Sequence, residues 1–495
     1  MARFKQILTL LLFLVLATCG DSKTSSVRSN PFDNAIVANS SSRDLDEIQS
    51  DGVLKALVVY SSTSYFLYKG QPMGFEYELL TKLAKDLGLR LELVVSSNLD
   101  AEFEVLNRGD VDLIAHGMTI TNQRKFEVDF TDHLYLTRQV LVQKKPDNYR
   151  KLSWGTIEKA LVSDPIDLIG DTVSIRRNSS YYERLVSLSN EIGDTINIQF
   201  LDSAITTDEI IDMVADGSVK YTIADENLAK INSAYRPILN VDVPMSLNQR
   251  IAWVTRKKSK ALRSAINSWI RKQRKTTDYN VIYNKYFKNK RSFQRRRNSE
   301  FYSLKNNQIS QYDELIKRYS ATIGVDWRLI AAQIYQESKF DRYAISWAGA
   351  SGLMQMMPST IEAMNVTDPS DPEQSVRAGT NYYRINHRAF LKVPDSIERV
   401  KLTLAAYNCG SGHILDAQRL AEARGLDPNI WKDNVEQMLL DLRFPKNYTL
   451  DFIKYGYVRG TEPVNYVNEI FERYGHYKKF ITNKKYSQGQ SVQLE

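Results

Sequence analysis

Asp326-Trp327-Arg328-Leu329-Ile330-Ala331-Ala332-Gln333-Ile334-Tyr335-Gln336-Glu337-Ser338 reads as one amphipathic helix with an acid near its far end. Asp326 is placed to cap the free N–H groups of the first turn. Trp327, Ile330, Ala331, Ile334 and Ser338 share a face at helical spacing. Glu337 lies at the edge of that stripe. Partial burial disfavours a carboxylate and raises its pKa, as a general acid at neutral pH requires. Most glutamates are solvated, and this one has Lys339 and Arg342 nearby as surface partners. The downstream sequence tips the reading toward chemistry. Gly352-Leu353-Met354-Gln355 gives a glycine-bearing loop, Ala406-Tyr407-Asn408 an aromatic-amide turn, and Glu462-Pro463-Val464-Asn465-Tyr466 a further aromatic. One proton donor among groups that hold sugar is what glycosidic cleavage in a groove needs.

Residues 309–474 keep a helical pattern with few strand-like alternations. The sequence before them differs. Val53–Val59 is an apolar strand-like run, residues 75–87 have helical spacing, 91–95 form a second strand, 101–108 a helix and 111–115 a third strand. Such alternation predicts an α/β unit with a largely parallel sheet. A chain of 495 residues has room for two or more cores. The expected fold class is therefore multidomain: an α/β unit of two lobes, then an all-α domain. The boundaries are 1–19 for a leader, 20–47 for a flexible tether, 48–288 for the α/β unit, 289–305 for a basic linker, 306–480 for the helical domain and 481–495 for a loose tail.

The composition is 43% hydrophobic and 25% charged, ordinary for soluble protein, and the net charge of +8 suits an anionic partner. Much of the basic excess sits in residues 288–297, which read as a solvated connector. No nucleic-acid signature accompanies it, and no nucleic-acid partner is expected. The histidines are scattered, and neither a metal nor any other cofactor is expected. Cys409, just after the Ala-Tyr-Asn turn, reads as a packed thiol rather than a nucleophile. Arg3 and Lys5 precede an apolar stretch over 7–17, a secretory leader. Leu16-Ala17-Thr18-Cys19-Gly20 resembles the bacterial lipobox. That resemblance implies a lipid on Cys19 and a membrane anchor. Gly20, where an aspartate would signal inner-membrane retention, favours the periplasmic face of the outer membrane.

The order Glu-Ser, Gly-Leu-Met-Gln, Ala-Tyr-Asn and the closing tyrosine resembles the lytic transglycosylases of the soluble-transglycosylase, goose-lysozyme-like family. The resemblance implies a lysozyme-like fold, peptidoglycan glycan strands as substrate, and Glu337 as the catalytic acid and then base. It implies substrate contacts from Ser338, Met354, Gln355, Tyr407, Asn408 and Tyr466. Gln355 would offer both a donor and an acceptor, and Gly349 and Gly352 would let backbone approach sugar. Two other readings compete. A lysozyme-type hydrolase would use Asp341 as second carboxylate, and a sensing lipoprotein would grip glycan without cutting it.

The first half resembles the family 3 periplasmic solute-binding proteins, carried by Gly74-Phe75-Glu76, Gly109-Asp110-Val111-Asp112 and Thr119-Ile120-Thr121 through Arg124 to Asp129-Phe130. That implies a crossing to a second lobe near 138–145 and a return near 244–253. It also implies a muropeptide or amino-acid ligand held by Arg124 (carboxylate), Asp225 (amine), Thr119 and Ser180. Arg176 and Arg177 depart from the small residues usual there and imply a larger or more acidic ligand.

Overall fold

Val53–Val59 is apolar on both faces and buried along most of its length, as a central strand covered by helices must be. The computed structural model describes residues 40–96, 101–177, 179–202, 205–303 and 308–481. The leader, Cys19, residues 20–39 of the tether and the tail from 482 lie outside the described residues.

Val53–Val59 pairs in parallel with Arg90–Ser96 on one side and with Leu113–Thr119 on the other. The chain crosses through Gln139–Lys144 into a second sheet. Its order is Asn197–Leu201, Thr172–Arg176, Tyr221–Asp225, Gln139–Lys144, Leu239–Asn240. It returns through Gln249–Thr255, antiparallel to Leu113–Thr119. The two-lobed α/β unit followed by a helical domain is the fold class expected from the sequence. The third strand begins two residues later than the pattern predicts, because Asp112 is used differently. Its buried carboxylate accepts from the Lys55 N–H (3.0 Å) and from Arg43 Nε (2.8 Å) and Arg256 Nη2 (3.3 Å).

Two stretches expected to be loose are packed. Residues 40–47 are not tether. The Arg43 carbonyl accepts from Arg256 Nη2 (2.9 Å), Asp44 accepts from the N–H groups of Ala261 and Leu262 (2.9 and 2.8 Å), and the helix Leu45–Asp51 follows. The basic connector is also structured, as the helix Lys290–Arg297 with Arg296 and Arg297 buried. Arg297 pairs with Asp212 of the second lobe (2.5 Å) and donates to Asn232 (3.1 Å). Arg296 lies over the rings of Phe66 and Tyr286 in the first lobe (5.7 and 5.4 Å to the centroids). Composition could not show this, since the acids that receive Arg297 lie far away in sequence.

The helical domain wraps the acid-bearing helix Trp327–Ser338. Ile330, Ala331 and Ile334 are buried among Leu402, Leu404, Ala405, Leu439 and Ile470. No helix among the described residues is long and apolar enough to cross a membrane.

A hairpin, Phe66–Tyr68 and Gln71–Met73, carries the first lobe onto this domain. Leu67 is part of the helical core. Tyr477 Oη donates to the Gly70 carbonyl (2.8 Å), and the Lys69 N–H donates to Phe301 O (3.0 Å). Gly70 has φ +72°, and a Cβ there would come within 2.6 Å of Tyr477 Oη and 2.9 Å of the Phe340 ring. Gly70→Ala is expected to cost about 1–3 kcal/mol, from left-handed backbone and overpacking together. Urea unfolding reads this as a lower midpoint, and an unchanged midpoint would mean that the hairpin is not seated there.

Candidate active site

The acid sits where its helix is forced to stop. Asp326 caps the start, its carboxylate accepting from the Arg328 N–H (3.0 Å). At the other end Lys339 and Phe340 both take left-handed backbone (φ +53° and +64°), and Phe340 folds its ring against Tyr335. Glu337 is thus in the last turn, where unpaired carbonyls and the negative end of the helix dipole disfavour a carboxylate.

Burial is the largest influence on Glu337 and pushes its pKa up to about 8. The nearby charge of Glu462 acts in the same direction, and a hydrogen bond from Tyr466 opposes both. Tyr466 Oη donates to Glu337 Oε1 at 2.5 Å, and Gln333 Nε2 donates to that same Oη at 3.1 Å. With the phenol oxygen accepting a hydrogen bond from Gln333, its own proton is directed at Glu337. Among the described residues no hydrogen bond reaches Glu337 Oε2, which is left as the oxygen able to carry a proton to a ligand.

Glu337 lines a groove of about 790 Å³. One wall comes from the loop Ser346 to Met357. The other comes from Tyr407 and Asn408 at the end of helix Ser396–Cys409, and from Glu462, Asn465 and Tyr466 on helix Thr461–Phe480. Of the residues named from sequence, Glu337, Gln355, Tyr407, Asn408 and Tyr466 meet in this groove.

Ser338 and Met354 do not line it. Ser338 Oγ is buried and donates to Leu353 O (2.8 Å), which ties the loop to the helix rather than contacting a ligand. The Met354 side chain is fully buried against Gly379, and only its carbonyl serves the site, accepting from Tyr407 Oη at 2.9 Å. Gln355 spends its amide N–H₂ on Ala344 O (2.9 Å) and Gly352 O (3.0 Å), leaving its oxygen for a ligand instead of a donor and an acceptor. The glycine at 352 is needed for a different close approach: a Cβ there would lie 2.1 Å from Pro369 O. Asp341 is outside the groove, its carboxylate accepting from the Tyr343 N–H (3.0 Å). Cys409 is half-buried, and burial raises its thiol to about 12, which suits a packed residue.

Sequence reasoning missed Gln333 and gave Glu462 no role. Both carried a signal. Gln333 is a polar residue one helical turn before Glu337, inside an apolar run, and Glu462 is one turn before Tyr466.

Between the two lobes lies a second cavity, of about 150 Å³, lined by Thr119, Arg124, Ser180 and Asp225 together with Glu76 and Arg176. Burial raises Asp225 to about 7 and Glu76 to about 8, and it lowers the pKa of Arg124. Asp225 Oδ1 and Glu76 Oε2 are buried without a partner among the described residues. The lobes meet over this cavity, Ser62 Oγ donating to Asp208 Oδ2 at 2.7 Å and Ser180 and Thr119 hydroxyls lying 3.3 Å apart.

Two family models match the chain. Bacterial extracellular solute-binding proteins, family 3, matches residues 45–289, and the Transglycosylase SLT domain matches residues 314–429. A protein of Desulfosudis oleivorans named "Membrane-bound lytic murein transglycosylase F" is 36% identical over 88% of this chain and 92% of its own length. One of the same name from Photobacterium profundum is 31% identical over 87% of this chain and 81% of its own. Among solved structures, an ancestral arginine-binding protein bound to arginine covers 48% of this chain and 98% of itself, at 22% identity and a TM-score of 0.40.

An activity that needs protonated Glu337 is expected to be level through neutral pH and to fall above about pH 8. Glu462→Gln removes a neighbouring negative charge and should move that fall to lower pH. Tyr466→Phe removes the bond that favours the carboxylate and should move it to higher pH. Rate profiles of both variants check this, and limbs that move the same way would contradict the assignment.

Proposed function

The chain belongs to the membrane-bound lytic murein transglycosylase F family, and on that footing we propose which residues carry its chemistry. It is a lytic murein transglycosylase, a carbon–oxygen lyase. The MurNAc–GlcNAc β-1,4 bond of peptidoglycan breaks without water and leaves a 1,6-anhydro-MurNAc end. Residues 306–480 are assigned to this cleavage and residues 48–288 to ligand binding.

Glu337 starts protonated and gives its proton from Oε2 to the glycosidic oxygen. The C1–O bond breaks and the GlcNAc side leaves with its hydroxyl restored. The acetamido oxygen of MurNAc stabilises the positive charge at C1. Glu337, now a carboxylate steadied by Tyr466, takes the proton of the C6 hydroxyl of the same sugar, and O6 bonds to C1. The acid regains its proton and the ring closes. Intramolecular attack is favoured because the nucleophile is already in place. The Gln355 amide oxygen and Asn408 contact the sugar, and the Tyr407 ring walls it. Ser338 and Met354 support the loop from behind. The observation that carries this reading is a single carboxyl lining the groove, with Tyr466 donating to one of its oxygens and burial raising its pKa to about 8.

Membrane association follows from the family. We assign it to a lipid on Cys19, at the periplasmic face of the outer membrane. Thr119, Arg124, Ser180 and Asp225 are assigned to a cell-wall peptide or amino acid, with Arg124 on a carboxylate and Asp225 on an amine. The contact of the hairpin with Tyr477 and Phe340, beside the end of the acid-bearing helix, is the route by which lobe closure regulates cleavage.

Glu337→Gln keeps shape and removes the proton. It is expected to lose about 10²–10⁴ in rate on sacculi. Mass spectrometry of the parent's products should show anhydro ends, and reducing ends that have gained water would contradict the lyase assignment. Calorimetry with muropeptides and free amino acids should give heat that Arg124→Ala abolishes. Heat that survives in that variant would remove Arg124 from the ligand site.

A further inference from the structure

The turn at the rim of the groove is built without its largest side chain. The Ser346 N–H donates to Ala350 O (2.8 Å), the Gly349 N–H donates to Ser346 O (3.0 Å), and the Ala350 N–H donates to Ser346 Oγ (3.0 Å). Below it, Ala344 O receives the Gly352 N–H (3.1 Å) and Gln355 Nε2 (2.9 Å). Every one of these contacts is made by backbone or by a polar side chain. Trp347, between Ser346 and Gly349, takes part in none of them. It is 100% exposed and yet lines the same groove as Glu337. Its neighbours Tyr343 and Ile345 are exposed as well, and Met357 and Thr360 continue the groove wall beyond it. Burying an indole is among the most favourable packing events available to a chain, and this one is held out of the fold on a braced turn.

We propose that Trp347 is a stacking platform for a sugar ring of the glycan strand, a subsite apart from the bond being cut. This rests on the reading of the groove as the place where glycan is cleaved. A pyranose ring has an apolar face of C–H groups and a polar rim. The indole covers the face, while the rim remains free for water and for the polar side chains of Gln355, Asn408 and Asn465 that line the same groove. The contact is the same before and during bond breaking. It therefore tightens binding without accelerating the chemical step, and its signature is in KM rather than kcat.

Peptide-free glycan strands prepared from sacculi are the probe. In the full chain, Trp347→Ala should raise KM about tenfold and leave kcat within about twofold, and Trp347→Phe should restore most of the loss. In the Glu337→Gln chain, which holds strands without turning them over, adding strands should shift tryptophan emission to the blue. That shift should vanish when Trp347→Phe is added. Because Trp347 packs against nothing, its variants should melt with the parent. An unchanged KM in Trp347→Ala overturns the proposal. So does an emission shift produced by anionic lipid vesicles and not by strands, which would make the indole a membrane contact. Full activity in Glu337→Gln would count against the acid alone, and the binding arm would still decide the fate of Trp347.

Discussion

The hydrogen bond from Tyr466 to Glu337, made inside a site that otherwise disfavours charge, is the interaction on which the rest of the helical domain depends. Burial, the helix terminus and Glu462 all push the carboxyl toward its neutral form. Tyr466 pulls the other way. A group held between these influences can lose a proton and take one back within a single reaction, which a strongly acidic or a permanently neutral carboxyl could not do. Gln333 aims the phenol, and the phenol occupies one carboxyl oxygen and leaves the other facing no partner among the described residues. Ser338 on Leu353 O and Tyr407 on Met354 O then hold the loop against the helix that carries the acid.

The acid-bearing helix was legible because its rules are local. A cap, a stripe of apolar residues and an acid at the edge are all within thirteen letters. The alternation of strands and helices in the first half was legible for the same reason. What each motif residue does was harder to read. Met354 and Ser338 stand in the motif and act through a carbonyl contact and a buried clamp, because a four-residue word records neither which atoms face the groove nor which are already bonded. The basic run 288–297 misleads more fully. Charge density predicts solvation, and the sequence has no local sign that Asp212 and two aromatic rings will receive the arginines.

The two halves of the chain meet through small, specific contacts. The helix Lys290–Arg297 touches both lobes, Arg297 on the second and Arg296 on the first, so its seat exists only while the lobes stand as they do here. The hairpin at Gly70 leaves no room for a side chain against Tyr477 and Phe340. Interfaces packed this closely shift between discrete arrangements more readily than they deform.

The most direct test of the account is the titration of the Glu337 carboxyl itself. Carbon-13 NMR of chain labelled at glutamate, with Glu337→Gln to identify the resonance, reads its protonation at each pH without any turnover. A midpoint near 8 is expected. A midpoint near 4.5, the ordinary glutamate value, would mean that the group is ionised at neutral pH and has no proton to give.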